Sequence, residues 1–121
     1  MPRTRLFALL AAAAALALAS AVSAWAAAPK LFGTVGPGFT ISLKDAKGKA
    51  VKTLTHGKFT FVVTDKASIH NFHLKGPGID KDITTVAGTG TKTVTLTLKL
   101  GTYRFYCVPH ESSIHGSFKV T

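Results

Sequence analysis

Hydrophobic and polar residues alternate at period two along much of the chain beyond residue 28. The clearest case is TKTVTLTLKL, which sets Val94, Leu96, Leu98 and Leu100 on one face and threonines and lysines on the other. GKFTFVVTD, from Gly57, is rich in aromatic and β-branched residues and predicts a second strand. GFTISLKDAKGKAVKTL alternates on both sides of DAKGK, where Asp45 and Gly48 supply turn chemistry, and predicts a hairpin. SIHNFHL reads as a strand closed by the breaker GPG at Gly76 to Gly78, GTYRFYC as a strand opened by a turn at Gly101, and GSFKVT as the last strand. No segment here has a helical period, and at most a short turn is expected between Asp80 and Ala87. Short strands separated by turns predict an all-β chain folded as a two-sheet, Greek-key sandwich. Its core is expected to contain Phe59, Phe61, Val63, Leu96, Leu98, Tyr103 and Phe105.

The first 28 residues follow a different rule. MPRTRLFALLAAAAALALASAVSAWA begins with Arg3 and Arg5, continues in an Ala/Leu run and ends in small residues, the layout of an export signal cut after Ala24, Ala26 or Ala28. The run from Leu6 to Ala24 is also long enough to stay uncut as an anchor. The basic start and the Ala-x-Ala end favour cleavage, which leaves no membrane span, and no cysteine follows the run to carry a lipid. The expected organisation is a signal over residues 1–28 and one small domain over residues 29–121, monomeric and exported to the periplasm, the cell surface or the medium. Cys107 is the only cysteine, so no intramolecular disulfide forms, and in an oxidising compartment a lone thiol is a liability unless buried or ligated.

Charge narrows the partners. The chain has 15 basic and 5 acidic side chains, +10 in all; without Arg3 and Arg5 it is 13 against 5, or +8. Its lysines are scattered, with neither the arginine richness nor the basic-aromatic runs of nucleic-acid readers, so nucleic acid is not expected as a partner. A solvated basic face is the simplest account, and an acidic partner protein the next.

The chemistry concentrates in CVPHESSIHG, Cys107 to Gly116. A thiolate with imidazoles selects copper or zinc, and one Cys with two His and a weak or missing axial group is the electron-transfer copper arrangement. If Cys107 ends a strand, the turn through Val108 and Pro109 brings His110 back beside its sulfur. The second imidazole must come from IHNFHL. Alternation puts His70 and Phe72 on one side and Asn71 and His73 on the other, so only one histidine of that pair faces a given metal. His70 follows the loop TDKAS, where an edge site would form. His73 reads equally as a surface or core histidine, and Cys107 taken alone as a buried structural thiol.

GTYRFYCVPH together with the upstream HNFHL resembles the cupredoxin family of small blue copper proteins, which includes plastocyanin, azurin and amicyanin. The resemblance follows strand order across residues 29–121 and is strongest over those two segments. It implies a cupredoxin-like sandwich holding one copper ion that cycles between Cu(I) and Cu(II). It implies His70, Cys107 and His110 as ligands, Asn71 as a hydrogen-bonding support of the thiolate and Tyr103 as a structural tyrosine.

The chain then departs from the family, whose axial Met lies two residues before a Gly. The only Met here is Met1. Aligned on Gly116, the Met position falls to Ile114, with His115 pointing outward; counted from His110, it falls to His115. Ile114 in that place leaves the metal without an axial donor, which disfavours Cu(II) more than Cu(I) and raises the potential. His115 would instead stabilise Cu(II), lower the potential and release the metal in acid. Gly116 is the firmer anchor, so Ile114 is the expected axial residue.

The resulting expectation is an exported mononuclear type 1 copper protein that carries single electrons to a redox partner, with a docking patch built from Pro109 and Pro77. Copper delivery outside the cytoplasm, favoured by the extra His73 and His115, and a metal-free interaction module are the competing readings. Neither a carboxylate pair nor a nucleophile with a partnered base is apparent, so an enzyme is not expected.

Overall fold

The computed structural model describes residues 26–121, so the expected export signal, apart from its last three residues, lies outside the described residues. Among the described residues the chain forms nine strands, β1 (Lys30–Val35), β2 (Ile41–Lys44), β3 (Thr53–Leu54), β4 (Gly57–Asp65), β5 (His73–Gly76), β6 (Ile79–Asp82), β7 (Gly90–Leu98), β8 (Gly101–Tyr106) and β9 (His115–Val120), with a single 3-10 turn over Val108–His110. Two sheets result, one in the order β2-β1-β4-β7 and the other in the order β3-β9-β8-β5-β6. The expected all-β sandwich is therefore present. Both sheets are mixed, because β1 runs parallel to β4 and β3 parallel to β9.

The period-two pattern explains which faces meet. In β4, Phe59, Phe61, Val63 and Asp65 are buried while the residues between them are more open. Phe59, Phe61 and Val63, with Leu31 and Val35 of the neighbouring β1, share one apolar core with Leu74, Tyr103, Phe105 and Phe118 of the other sheet. Each large side chain removed from water there contributes about 1.5–3 kcal/mol. Aromatic rings continue the core along its length: Phe72 stacks on Phe105 at 5.5 Å, Phe105 meets Phe118 at 6.3 Å, and Phe118 stacks on Tyr103 at 5.2 Å. Of the expected core residues only Leu96 is half-buried rather than buried. Leu100, in phase with the β7 pattern, lies beyond the strand end and is 61% exposed.

Four local expectations change. The DAKGK turn forms, with Asp45 Oδ1 accepting the Lys47 and Lys49 amides, but the hairpin ends after one bridge, Lys44 to Ala50. The chain then crosses to the other sheet as β3, and β2 pairs instead with β1, a strand the alternation did not reveal. SIHNFHL becomes strand only at His73. GPG makes a tight turn from β5 into β6, so Asp80 to Asp82 are strand rather than loop.

Tyr103 fastens the far end of β8. Its hydroxyl accepts the Lys99 amide at 2.9 Å and reaches the Lys99 and Pro77 carbonyls at 3.0 and 3.3 Å. Its ring lies against Gly76, where a Cβ would sit 2.1 Å from Cδ1, so only glycine admits it. Tyr103→Phe, which strands these backbone groups, is expected to lower unfolding stability by about 1–3 kcal/mol in urea titrations of the metal-free protein, with an unchanged m-value.

Candidate metal centre

Cys107 directly follows β8, with extended backbone (φ −89°, ψ 120°) and a fully buried side chain. Pro109, inside the 3-10 turn, favours the tight bend. His110 N donates to Cys107 O at 3.1 Å, returning the imidazole to the sulfur, with Nδ1 and Sγ 3.6 Å apart. The loop then closes on itself: Ile114 N donates to His110 O at 2.8 Å, and Cys107 N donates to Ile114 O at 3.1 Å.

His70 arrives from the other sheet. β4 ends at Asp65, whose Oδ1 accepts the Ala67 amide at 3.1 Å, while Lys66 N donates to Val35 O at 2.9 Å. This bend directs residues 66–72 across to β5, where His73 pairs with Tyr106 and Leu74 with Phe105. His70, wholly buried, thereby comes to rest with Nδ1 at 3.7 Å from Cys107 Sγ and 3.2 Å from His110 Nδ1.

Two imidazole nitrogens and one sulfur thus form a triangle with sides of 3.2, 3.6 and 3.7 Å. Metal bonds of about 2.0–2.1 Å to nitrogen and about 2.3 Å to sulfur require donor spacings of roughly 3.3–3.8 Å. The fit is close, and one thiolate with two imidazoles is the donor set that suits copper. The cluster of His70, Cys107 and His110 is positioned for a single copper ion. His70 Nε2, on the outer edge of the ring, is buried without a hydrogen-bond partner.

The flanking residues sort as the alternation suggests. Asn71 is buried, accepts the Val108 amide on Oδ1 at 2.7 Å and donates from Nδ2 to Asp82 Oδ1 at 2.9 Å. His73, on the same side as Asn71, is engaged by Asp82 and Asp80 rather than by the cluster. Ile114 is 1% exposed and belongs to the same core as Cys107; His115 opens β9 opposite Tyr106 and is exposed.

Two features of the site escape the sequence. Phe39, in the loop between β1 and β2, sets its ring edge-on to both His70 and His110, each at 5.0 Å. In the same loop Gly36 lets the backbone lie close to Ala67 and His70, since a Cβ there would be 2.9 Å from Ala67 Cβ and 3.4 Å from His70 Cδ2. A lone phenylalanine in a Gly/Pro loop carries no signal of such a role. Asp82 is the second, because the segment containing it reads as loop. Pro77, expected near the metal, is instead at the opposite end of β8, packed against Gly101. The turn between paired strands β5 and β6 puts it there.

Residues 40–121 match the family model of copper-binding proteins of the plastocyanin/azurin family. The chain belongs to that family. Its fold is similar to that of rusticyanin, with a TM-score of 0.52 at 19% identity over 76% of each chain. Reduced rusticyanin gives 0.52 at 21% identity over 76% of this chain and 78% of the other. Auracyanin A, a "blue" copper protein from the green thermophilic photosynthetic bacterium Chloroflexus aurantiacus, gives 0.53 at 18% identity over 78% of this chain and all of its own. No curated protein sequence matches the chain.

Because Phe39 is 61% exposed, its truncation should disturb the cover of this cupredoxin's histidines more than its fold. Phe39→Ala is expected to change stability by no more than about 1 kcal/mol, while histidine modification by diethyl pyrocarbonate in the metal-free protein becomes faster. An unchanged modification rate would mean that Phe39 does not shield the rings.

Proposed function

We propose that this cupredoxin is an exported one-electron carrier whose type 1 copper is held by His70, Cys107 and His110, with Ile114 in the axial position. The observation that carries the reading is the convergence of two Nδ1 atoms and one Sγ at 3.2–3.7 Å. Bound copper supplies the Cu(I)/Cu(II) couple at that point. The residues supply a fixed frame. His70 and Cys107 come from backbone sewn into two different sheet connections, so the donor triangle has little freedom to rearrange between oxidation states. Ile114 offers no donor atom and excludes water from the sulfur side, which favours the reduced ion. Its burial and the exposure of His115 support this assignment over axial coordination by His115.

Electron entry and exit are assigned to the His110 edge. His110 is half-buried whereas His70 and Cys107 are fully buried, and exposed apolar residues surround it: Phe39 on its ring, and Val108 and Pro109 in its own turn. The redox partner would dock on this rim, with the excess of basic charge steering an acidic one. Export rests on the Arg3/Arg5 start and the Ala-rich run, and among the described residues no helix is long and apolar enough to cross a membrane. Copper delivery is less favoured than carriage, because His73 is taken up by two carboxylates and does not extend the donor set.

The test is the visible and electron paramagnetic resonance spectrum of the Cu(II)-loaded domain. An intense thiolate band with narrow copper hyperfine splitting is expected, lost in Cys107→Ser. Ile114→Met is expected to lower the reduction potential, and His115→Ala to leave the spectrum unchanged. A pale site with wide splitting that responds to His115→Ala would transfer the axial role to His115 and favour copper handling.

A further inference from the structure

The segment bearing His70 is clasped from outside by β6 and the residues after it. Phe72 N donates to Thr84 Oγ1 at 2.8 Å, and Ile83 N donates to Phe72 O at 2.9 Å. His73 places Nδ1 2.5 Å from Asp82 Oδ1 and Nε2 2.6 Å from Asp80 Oδ1, with its ring against Tyr106 at 5.0 Å. Asn71 completes the clasp. Its amide runs from the peptide N–H of Val108, the residue after the cysteine, to the carboxylate of Asp82, at 2.7 and 2.9 Å. A peptide N–H only donates and a carboxylate only accepts, so these two partners leave the Asn71 side chain one orientation.

We propose that Asp82 is a positioning residue of the metal centre, which orients the Asn71 amide and through it holds the backbone at Cys107 and Val108. The inference rests on the copper reading of His70, Cys107 and His110, and adds a device reaching from that site to the protein surface. Asn71 bonded to Val108 alone is held at one end only: the Val108 N–H selects Oδ1, since a flipped side chain would set an NH₂ against it, but Nδ2 is left without an acceptor and the amide is free to swing about that single bond. Asp82 fixes the second end, because it accepts from Nδ2 and is itself steadied by His73, so that leaving this orientation costs two hydrogen bonds instead of one. Its side chain is 55% exposed, so the orientation of a buried amide beside the cysteine is set from the rim of the molecule. Asp80 provides the internal comparison: it carries the same charge on the same strand and touches the same histidine, but makes no bond to Asn71.

Hydrogen exchange at the Val108 amide, followed by NMR in the metal-free protein, reads the proposed bond without reference to copper. Asp82→Ala is expected to speed exchange there by about tenfold, the effect of weakening one hydrogen bond. The thiolate band and copper hyperfine splitting of the loaded protein should shift with it. Asp82→Asn keeps an acceptor oxygen and is expected to restore most of both signatures, while Asp80→Ala leaves Val108 exchange within about twofold of the parent. The proposal is overturned if Asp82→Ala leaves Val108 exchange unchanged, or if Asp80→Ala reproduces its effect, since the cause would then be general loosening of the hairpin or a loss of charge. A parent protein without a thiolate band would count against the copper reading instead, and Val108 exchange would still decide the role of Asp82.

Discussion

The metal centre depends first on the antiparallel pairing of β5 with β8. That ladder sets His73 opposite Tyr106, and the chain just before His73 and just after Tyr106 then emerges at the same end of the sheet. One emerging segment carries His70 and the other Cys107. A slip of one residue would turn every side chain of β5 to the other face, removing Leu74 from the core and His70 from the sulfur together. Core packing and donor geometry are therefore specified by one register. The aromatic column from Phe72 through Phe105 and Phe118 to Tyr103 reinforces it, because two of its members flank the ladder and the hydroxyl of the last fastens the far end of β8.

The two sides of the donor triangle are built by different means. Cys107 and His110 are three residues apart, and their geometry is local: a Pro-containing 3-10 turn and backbone bonds that return the chain to Cys107. His70 comes from a connection between sheets, and its placement is global. It needs the bend at Asp65, the ladder to β8 and the clasp from β6. The local pair takes its internal geometry from four residues, whereas the third donor integrates the packing of both sheets. Asn71, next to His70 in the chain and bonded to the Val108 amide, joins the two sides, and Asp82 bonds to that link.

Elements with a strong period, β4, β7, β8 and β9, are legible in the sequence because each buries one face and exposes the other. The C-x-x-H pair is legible for a related reason, since its geometry is contained in four residues. β1 and β6 are not: KLFGTV interrupts its alternation with Gly33, and IDKD, at the sheet edge, has only Ile79 to bury. The DAKGK hairpin reads correctly as a turn and incorrectly as a pair of strands, because turn chemistry is local while the choice of pairing partner belongs to the sheet. The alternation puts His70 and His73 on opposite sides, and it is the family resemblance that singles out His70. Phe39 was beyond reach, since its contact with both imidazoles arises from how one loop lies over another.

Burial gives the site a direction. His70, Cys107 and Ile114 are buried, and Asn71 is covered by the hairpin of β5 and β6. Of the three clustered residues only His110 is half-buried rather than buried, with Phe39 against its ring and a rim that includes Val108 and Pro109. On the proposed electron-carrier reading, the shortest route from the sulfur to solvent runs through that ring, and a partner docking on the rim would displace water from an apolar surface without having to desolvate a charge. On the same reading the scattered lysines would act at longer range, attracting the proposed acidic partner before contact through a field screened over about 8–10 Å at physiological salt. Short-range fit and long-range steering would thus fall to different residues, which would allow a partner to be captured by charge and released from a small, largely uncharged contact.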